Sequence, residues 1–191
     1  MSAGVAEPVS PARGGLKSLL EADFADGTVV RQNVSLAELT TLRVGGQADW
    51  FAEPQSQADL SALVSASREH GLAVTALGLG SNFLVLDSGV RGLTVRLSAG
   101  VFAGIEADGS RLKCGAAARM KKVAAEARRC RLAGMEFLEG IPGSVGGGLR
   151  MNAGAMGSEL FDVVETVRFM DPAGEVFEMS AESIESMYRS C

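Results

Sequence analysis

Apolar and polar positions change register several times along this chain, and each change marks an element. Residues 16–24 carry an amphipathic stretch that predicts a short helix leading into the domain. Trp50, Phe51 and Ala52 form a compact apolar run closed by Pro54, which predicts a strand. Ser56 stands as a helix cap with Asp59 three residues on, and Leu60, Leu63 and Val64 follow on one face. Gly71 ends that helix, and His70 before it suits the dipole's negative end as a structural residue. Residues 73–77 read as a buried strand and residues 83–86 as another, while Leu93-Thr94-Val95-Arg96-Leu97 alternates as a third.

The pattern restarts after Gly100. Ile105-Glu106-Ala107, the turn pair Asp108-Gly109 and Arg111-Leu112-Lys113-Cys114 predict a hairpin. A helix follows with Met120, Val123, Ala124 and Ala127 inward and ends before Gly134. Its other face holds Arg119, Lys121, Lys122, Arg128, Arg129 and Arg131, a pattern that suits a solvated face or an anion-binding one. Residues 163–170 predict a strand, Asp171-Pro172-Ala173-Gly174 a turn, and residues 175–179 the returning strand. Ser180 is expected to cap a short helix reaching Tyr188-Arg189. The elements make two consecutive α+β units split near residue 100: a tail and helix over residues 1–30, then units over 31–100 and 101–191.

Composition narrows the function classes. With 191 residues and 47% hydrophobic content the chain can bury a real core, and no apolar run approaches a membrane span. The opening MSAGVAEPVSPARGG lacks a basic patch followed by an apolar stretch, so it reads as a disordered tail and not a secretory signal. A net charge of -5 and only one Trp and one Tyr argue against nucleic acid as a partner. Cys114, Cys130 and Cys191, odd in number and without CxxC spacing, suit a reducing cytoplasm. A single histidine excludes a multi-histidine metal site, and no metal is expected.

Two glycine clusters carry the candidate chemistry. Gly78, Leu79, Gly80, Ser81 and Asn82 follow a predicted strand, where successive backbone N–H groups can converge on an anion and Ser81 and Asn82 add side-chain donors. Neither familiar phosphate motif fits: Phe83 stands where a Rossmann turn needs its third glycine, and Gly-Lys-Ser/Thr occurs nowhere. The second cluster spans residues 140–157, with a glycine density that disfavours any helix or strand. It suits either a buried crossover packing two layers together or a loop passing close to a flat or anionic cofactor.

In order along the chain stand Thr40-Thr41-Leu42-Arg43-Val44-Gly45-Gly46, the Leu77–Val85 glycine turn, and Gly134-Met135-Glu136-Phe137. They are followed by Gly140-Ile141-Pro142-Gly143-Ser144-Val145-Gly146-Gly147, Met151-Asn152-Ala153-Gly154-Ala155 and Tyr188-Arg189-Ser190. This succession resembles the UDP-N-acetylenolpyruvoylglucosamine reductase (UDP-N-acetylmuramate dehydrogenase, MurB) family from about Asn33 to the last residue. The resemblance implies an α+β fold of the vanillyl-alcohol-oxidase/PCMH type, with two α+β subdomains holding FAD between them. It implies that Gly78, Leu79, Gly80, Ser81 and Asn82 cradle the pyrophosphate. Gly140, Ile141, Pro142, Gly143, Ser144, Val145, Gly146 and Gly147, with Asn152, Ala153, Gly154 and Ala155, would line pyrophosphate and isoalloxazine ring.

The activity implied is NADPH-driven reduction of FAD, then hydride transfer to the enolpyruvyl double bond of a UDP-sugar, making the peptidoglycan precursor UDP-N-acetylmuramate in the cytoplasm. Arg189, beside Tyr188, matches the family's catalytic pair, and a guanidinium suits charge building on a carboxylate. No membrane and no obligate protein partner is implied. The family continues past this point with a proton-donating serine, a glutamate and much of the UDP-sugar site, so the chain is expected to lack its C-terminal substrate domain. Met156 and Leu39 stand where the family often has aromatics. The competing expectations are a non-catalytic flavin- or nucleotide-binding module and another flavin oxidase of the same fold.

Overall fold

The computed structural model describes residues 24–98, 100–187 and 189–191. The N-terminal tail, the helix expected over residues 16–24 apart from Phe24, and Tyr188 lie outside the described residues.

A four-stranded mixed sheet organises the first part of the chain. It contains β1 (Val29–Ser35), β2 (Gln47–Glu53), β3 (Val74–Leu77) and β4 (Val90–Arg96) in the order β1-β2-β4-β3. β1 runs antiparallel to β2, while β2 and β3 both run parallel to β4. The chain reaches β3 from β2 through helix α1 (Gln57–Glu69), leaving space that β4 fills later. A register shift between Ala48 and Trp50 splits β2's side chains between the two faces. Trp50 and Ala52 pack with Leu63, Leu93 and Val95 under α1, and Ala48 and Phe51 pack with Leu36, Leu77 and Val85 on the other side.

α1 begins as its sequence requires, with Ser56 Oγ accepting the Asp59 N–H at 3.0 Å and Gly71 following the last turn at φ +66°. Asp59 is 7% exposed and does more than cap. Its carboxylate accepts the Thr28 hydroxyl at 2.7 Å and the Ala25 N–H at 3.2 Å, pinning the approach to β1 against α1. Burial by itself would push this carboxyl up, but the hydrogen bonds from Thr28, Ser56 and Ala25 outweigh it and hold it below its ordinary value of 3.8. A depressed carboxyl stabilises the fold above its unfolded pKa, and that contribution disappears as pH falls through the folded one. Asp59→Ala is therefore expected to cost about 2 kcal/mol near neutral pH, where it orphans two donors. Urea midpoints taken downward from pH 7 should draw closer for the two proteins below pH 3.8; a constant gap would refute the assignment.

The second part is built of short hairpins around one helix. β5 (Ile105–Asp108) and β6 (Arg111–Cys114) form the expected hairpin, and α2 (Met120–Arg129) follows. Met120, Val123, Phe137, Leu138 and Leu160 make its core. β7 (Gly154–Ala155) pairs with β8 (Ser158–Glu159), and β9 (Thr166–Met170) with β10 (Val176–Ser180). The β9–β10 turn returns to the first part, where Ser61 and Ser65 on α1 donate to the Gly174 and Ala173 carbonyls at 2.7 and 2.9 Å.

Four expectations are corrected. Residues 83–86 form no strand, although Val85 is buried and Leu84 and Leu86 are each 69% exposed. The segment crosses Gly45 and Gly46 so closely that a Cβ on Gly45 would lie 2.8 Å from the Val85 carbonyl carbon, and the Gly46 N–H bonds to Leu86. No extended partner is offered there, so an apolar run alone does not make a ladder. β3 is not buried along its length: only Leu77 is, because β3 is a sheet edge. The helix expected after Ser180 shrinks to a single turn over Ala181–Ser183 without a side-chain cap, and the Ala181 N–H donates to the Glu165 carbonyl. Lastly, the second glycine cluster does contain a helix, α3 (Val145–Arg150).

Candidate flavin-binding cleft

α3 explains part of the glycine density by close packing. A Cβ on Gly146 would lie 3.0 Å from that of Ala116, and one on Gly148 would overlap Met120 and reach Leu160 at 3.3 Å. The Val145 and Gly146 N–H groups donate to the Ala118 and Ala116 carbonyls at 2.9 and 2.8 Å, so α3 starts in register with the segment ahead of α2. Gly146 and Gly148 therefore act as the tight crossover. Gly140 and Gly157 are different, since no atom lies within 4 Å of where their Cβ would be, and of the two Gly157 borders the cleft that both clusters line while Gly140 does not. The two readings of the cluster divide between different glycines.

The first glycine cluster faces this region. It leaves the carboxyl end of β3 in the connection to β4, the side of a parallel sheet where ligands usually bind. Gly80 turns at φ +67°, packed on the Leu39–Thr40 backbone, and its carbonyl accepts the Thr41 N–H at 3.1 Å. Ser81 Oγ donates to the Pro142 carbonyl at 3.0 Å, and a Cβ on Gly78 would lie 3.0 Å from Ser144 Oγ. The structure thus brings residues 78–82 directly against residues 142–144, although 61 positions separate Ser81 from Pro142.

Both clusters line one cleft of about 3260 Å³. That exceeds the roughly 1,000 Å³ upper range of ordinary small-ligand sites, as an open trough between two layers should. Its walls include Leu79, Asn82, Ile141, Val145 and Gly147 as well as Ala153, Gly154 and Ala155. Glycine walls on both sides admit a flat ring and a pyrophosphate without side chains in the way, so these residues fit an FAD molecule.

Arg189 lies on the same cleft, at φ +58° within a tight turn closed by Met187 and Ser190, which exchange both backbone hydrogen bonds at 3.0 Å. Arg150 at the end of α3 donates to the Cys191 carbonyl at 2.8 Å, tying that turn to the glycine helix. The sequence reading passed over Arg150 and the Gly115-Ala116-Ala117-Ala118 run on which α3 rests. The run of small residues after a hairpin was the signal available for the second. Asn152 borders the cleft but is buried at 5% exposure, with both ends of its side chain bonded inside the protein.

Among the described residues no cluster of three or more His, Cys, Asp or Glu could hold a metal ion, and no helix is long and apolar enough to cross a membrane. The three cysteines are free, and burial pushes the Cys114 thiol up. On the basic face of α2, Lys121 pairs with Glu139 at 2.9 Å and Arg129 with Glu126.

Comparison with known proteins places this geometry. Residues 48–180 match the FAD binding domain family. A UDP-N-acetylenolpyruvoylglucosamine reductase of Methylorubrum extorquens is 44% identical over 158 residues, covering 83% of this chain and 51% of the relative. The chain thus spans about half the length of the curated relatives it matches. The crystal structure of the UDP-N-acetylenolpyruvylglucosamine reductase (MurB) from Thermus caldophilus aligns with TM-score 0.71 at 35% identity, over 85% of this chain and 56% of that one. A cholesterol oxidase from B. sterolicum aligns over 92% of this chain and 35% of its own, with TM-score 0.59 at 16% identity, a likeness of fold alone.

Proposed function

The chain belongs to the FAD binding domain family, with the vanillyl-alcohol-oxidase/PCMH-type fold, and we propose that it forms the flavin-binding part of a UDP-N-acetylenolpyruvoylglucosamine reductase. The observation that carries this reading is the meeting of the two glycine clusters across one cleft, joined by the Ser81–Pro142 hydrogen bond, with Arg189 on the same cleft. Gly78, Leu79, Gly80, Ser81 and Asn82 would hold the pyrophosphate of FAD. Gly140, Ile141, Pro142, Gly143, Ser144, Val145 and Gly147 would approach pyrophosphate and ring, together with the backbone of Ala153, Gly154 and Ala155. Bound there, FAD would supply the hydride carrier between NADPH and the enolpyruvyl double bond.

The chain's own contribution to the chemistry is charge and exclusion. Reducing an enol ether conjugated to a carboxylate builds negative charge toward the carboxylate oxygens. A guanidinium holds both oxygens in a fixed fork, and we assign this task to Arg189, with Tyr188 beside it in sequence. Hydrophobic Ile141, Val145 and Leu149 near the glycines keep water from that wall of the cleft. The product would be UDP-N-acetylmuramate, made in the cytoplasm for peptidoglycan.

Reconstitution tests the reading. Purified chain mixed with FAD and desalted should retain a visible flavin spectrum at close to one equivalent. NADPH should bleach it, and in a version extended to the relatives' length UDP-N-acetylglucosamine enolpyruvate should restore it anaerobically. A colourless protein would remove the flavin assignment. Bleaching that the enolpyruvyl substrate does not reverse in that longer version would remove the reductase assignment and leave a flavin-binding module.

A further inference from the structure

Asn152 sits at the join between α3 and the β7–β8 hairpin, in the left-handed region at φ +39° that asparagine tolerates better than most residues. Both ends of its side chain are bonded within the protein. Nδ2 donates to Glu159 Oε2 at 2.6 Å, and Oδ1 accepts the Phe161 N–H at 3.2 Å. Glu159 and Asp162 close the network reciprocally: Glu159 N–H donates to Asp162 Oδ2 at 2.7 Å, and the Glu159 carboxylate accepts the Asp162 N–H. Two backbone bonds complete the frame, from Ala153 N–H to Gly148 at 2.9 Å and from Leu160 N–H to Ala153 at 3.0 Å.

This frame holds one object, the hairpin of residues 154–159. Gly154 pairs with Glu159 and Ala155 with Ser158, and a Cβ on Gly154 would lie 2.6 Å from the Ser158 carbonyl oxygen, so glycine lets the two short strands lie this close. The hairpin and its base line the cleft, Asn152 and Glu159 at its edge together with Ala153, Gly154, Ala155 and Gly157. Its tip turns through Met156 at φ +57° and Gly157 at φ +84°, and Met156 is 91% exposed. With so little packing at the tip, its place is set at the base. α3, whose glycines face Ala116 and Met120, feeds directly into that base.

We propose that Asn152 is a positioning residue and not a flavin ligand: through Glu159 it fixes the backbone of residues 153–155 at the height at which the cleft receives the flavin. The proposal rests on the flavin reading above. The amide and the carboxylate have complementary roles, which makes the pair testable by exchange. Asn152→Asp sets two carboxylates against each other and breaks the pin. Adding Glu159→Gln returns a donor opposite an acceptor. In that double variant the new carboxylate at position 152 still accepts the Phe161 N–H, and the new amide oxygen at position 159 still accepts the Asp162 N–H.

The experiment compares the 191-residue chain, the single variant N152D and the double variant N152D/E159Q. FAD affinity, the visible circular dichroism of bound FAD and the apo-protein Tm are read for each. N152D is expected to raise the FAD dissociation constant roughly tenfold and to lower Tm by about 5 °C. It should also change the bound-flavin dichroism, and the double variant should restore all three. A fall in Tm with unchanged affinity and dichroism would mean a merely structural pin and overturn the proposal. So would a double variant that regains Tm but not flavin binding, because the amide would then touch the cofactor itself. An unaltered chain that takes up no FAD removes the flavin reading and the proposal with it, whereas failure of the pin alone leaves that chain yellow.

Discussion

Gly80→Ala is expected to destabilise the chain by roughly 3 kcal/mol and to abolish measurable FAD retention after desalting. Two costs combine. An alanine held at φ +67° pays about 1–2 kcal/mol for the left-handed backbone. Its Cβ would also lie 2.7 Å from Thr40 Cα and overlap the Leu39 carbonyl oxygen, both backbone atoms that cannot swing aside, which adds about 1–3 kcal/mol of overpacking. Relief requires the turn to lift from the Leu39–Thr40 backbone, and that displaces Ser81 from Pro142 and opens the meeting of the two clusters. Gly109→Ala is the matched control, since Gly109 also sits at positive φ, +59°, yet has no atom within 4 Å of the new Cβ. It should cost only about 1 kcal/mol of backbone strain and leave FAD binding intact. Urea denaturation and FAD titration of both variants decide the matter. Equal losses in the two would mean that close packing at Gly80 is irrelevant.

In a version extended to the relatives' length, Arg189→Ala is expected to slow reoxidation of the NADPH-reduced protein by UDP-N-acetylglucosamine enolpyruvate about 10²- to 10³-fold while FAD stays bound. That is the loss typical of removing one group that meets developing negative charge, about 2.7–4 kcal/mol. Arg189→Lys should recover only part, because an ammonium carries the charge without the fork that holds two oxygens. Anaerobic stopped-flow measurement at the flavin absorbance separates the steps, and the NADPH half-reaction should be unchanged within about twofold. Loss of flavin in Arg189→Ala would move the residue from substrate to cofactor. The Met187–Ser190 turn and the Arg150–Cys191 bond give the position its definition. Arg150→Ala should accordingly reproduce a weaker form of the same defect.

How far the sequence could be read depends on where each element's partners lie. α1 was legible to the residue because cap, apolar face and terminating glycine all act within a few positions, and Ser56, Leu63 and Gly71 behave accordingly. The β5–β6 hairpin was equally legible from Asp108-Gly109. β1 went unread: Val29-Val30-Arg31-Gln32-Asn33-Val34 alternates poorly, with Asn33 at φ +54°, and becomes a strand only because β2 pairs with it. Residues 83–86 erred the other way, carrying a buried strand's apolar run with no strand beside them. α3 escaped because helix propensity argues against three consecutive glycines, and only the nearness of Ala116 and Met120 explains them. The resemblance to the reductase family stood on motif order, and the relatives bear it out.

The sequence by itself determined the local grammar of this protein and the family resemblance. Caps, turns and a fixed succession of glycine motifs are short-range properties, stored in neighbouring residues. Only the tertiary structure decided which glycines pack and which face open space, that Ser81 bonds to Pro142, and that Asn152 is committed to Glu159. These are contacts between positions apart along the chain or side chains with several possible partners, and their choice depends on where the backbone brings each donor and acceptor. Motif order can say that a flavin belongs here; the division of labour among the residues around it is settled by distance.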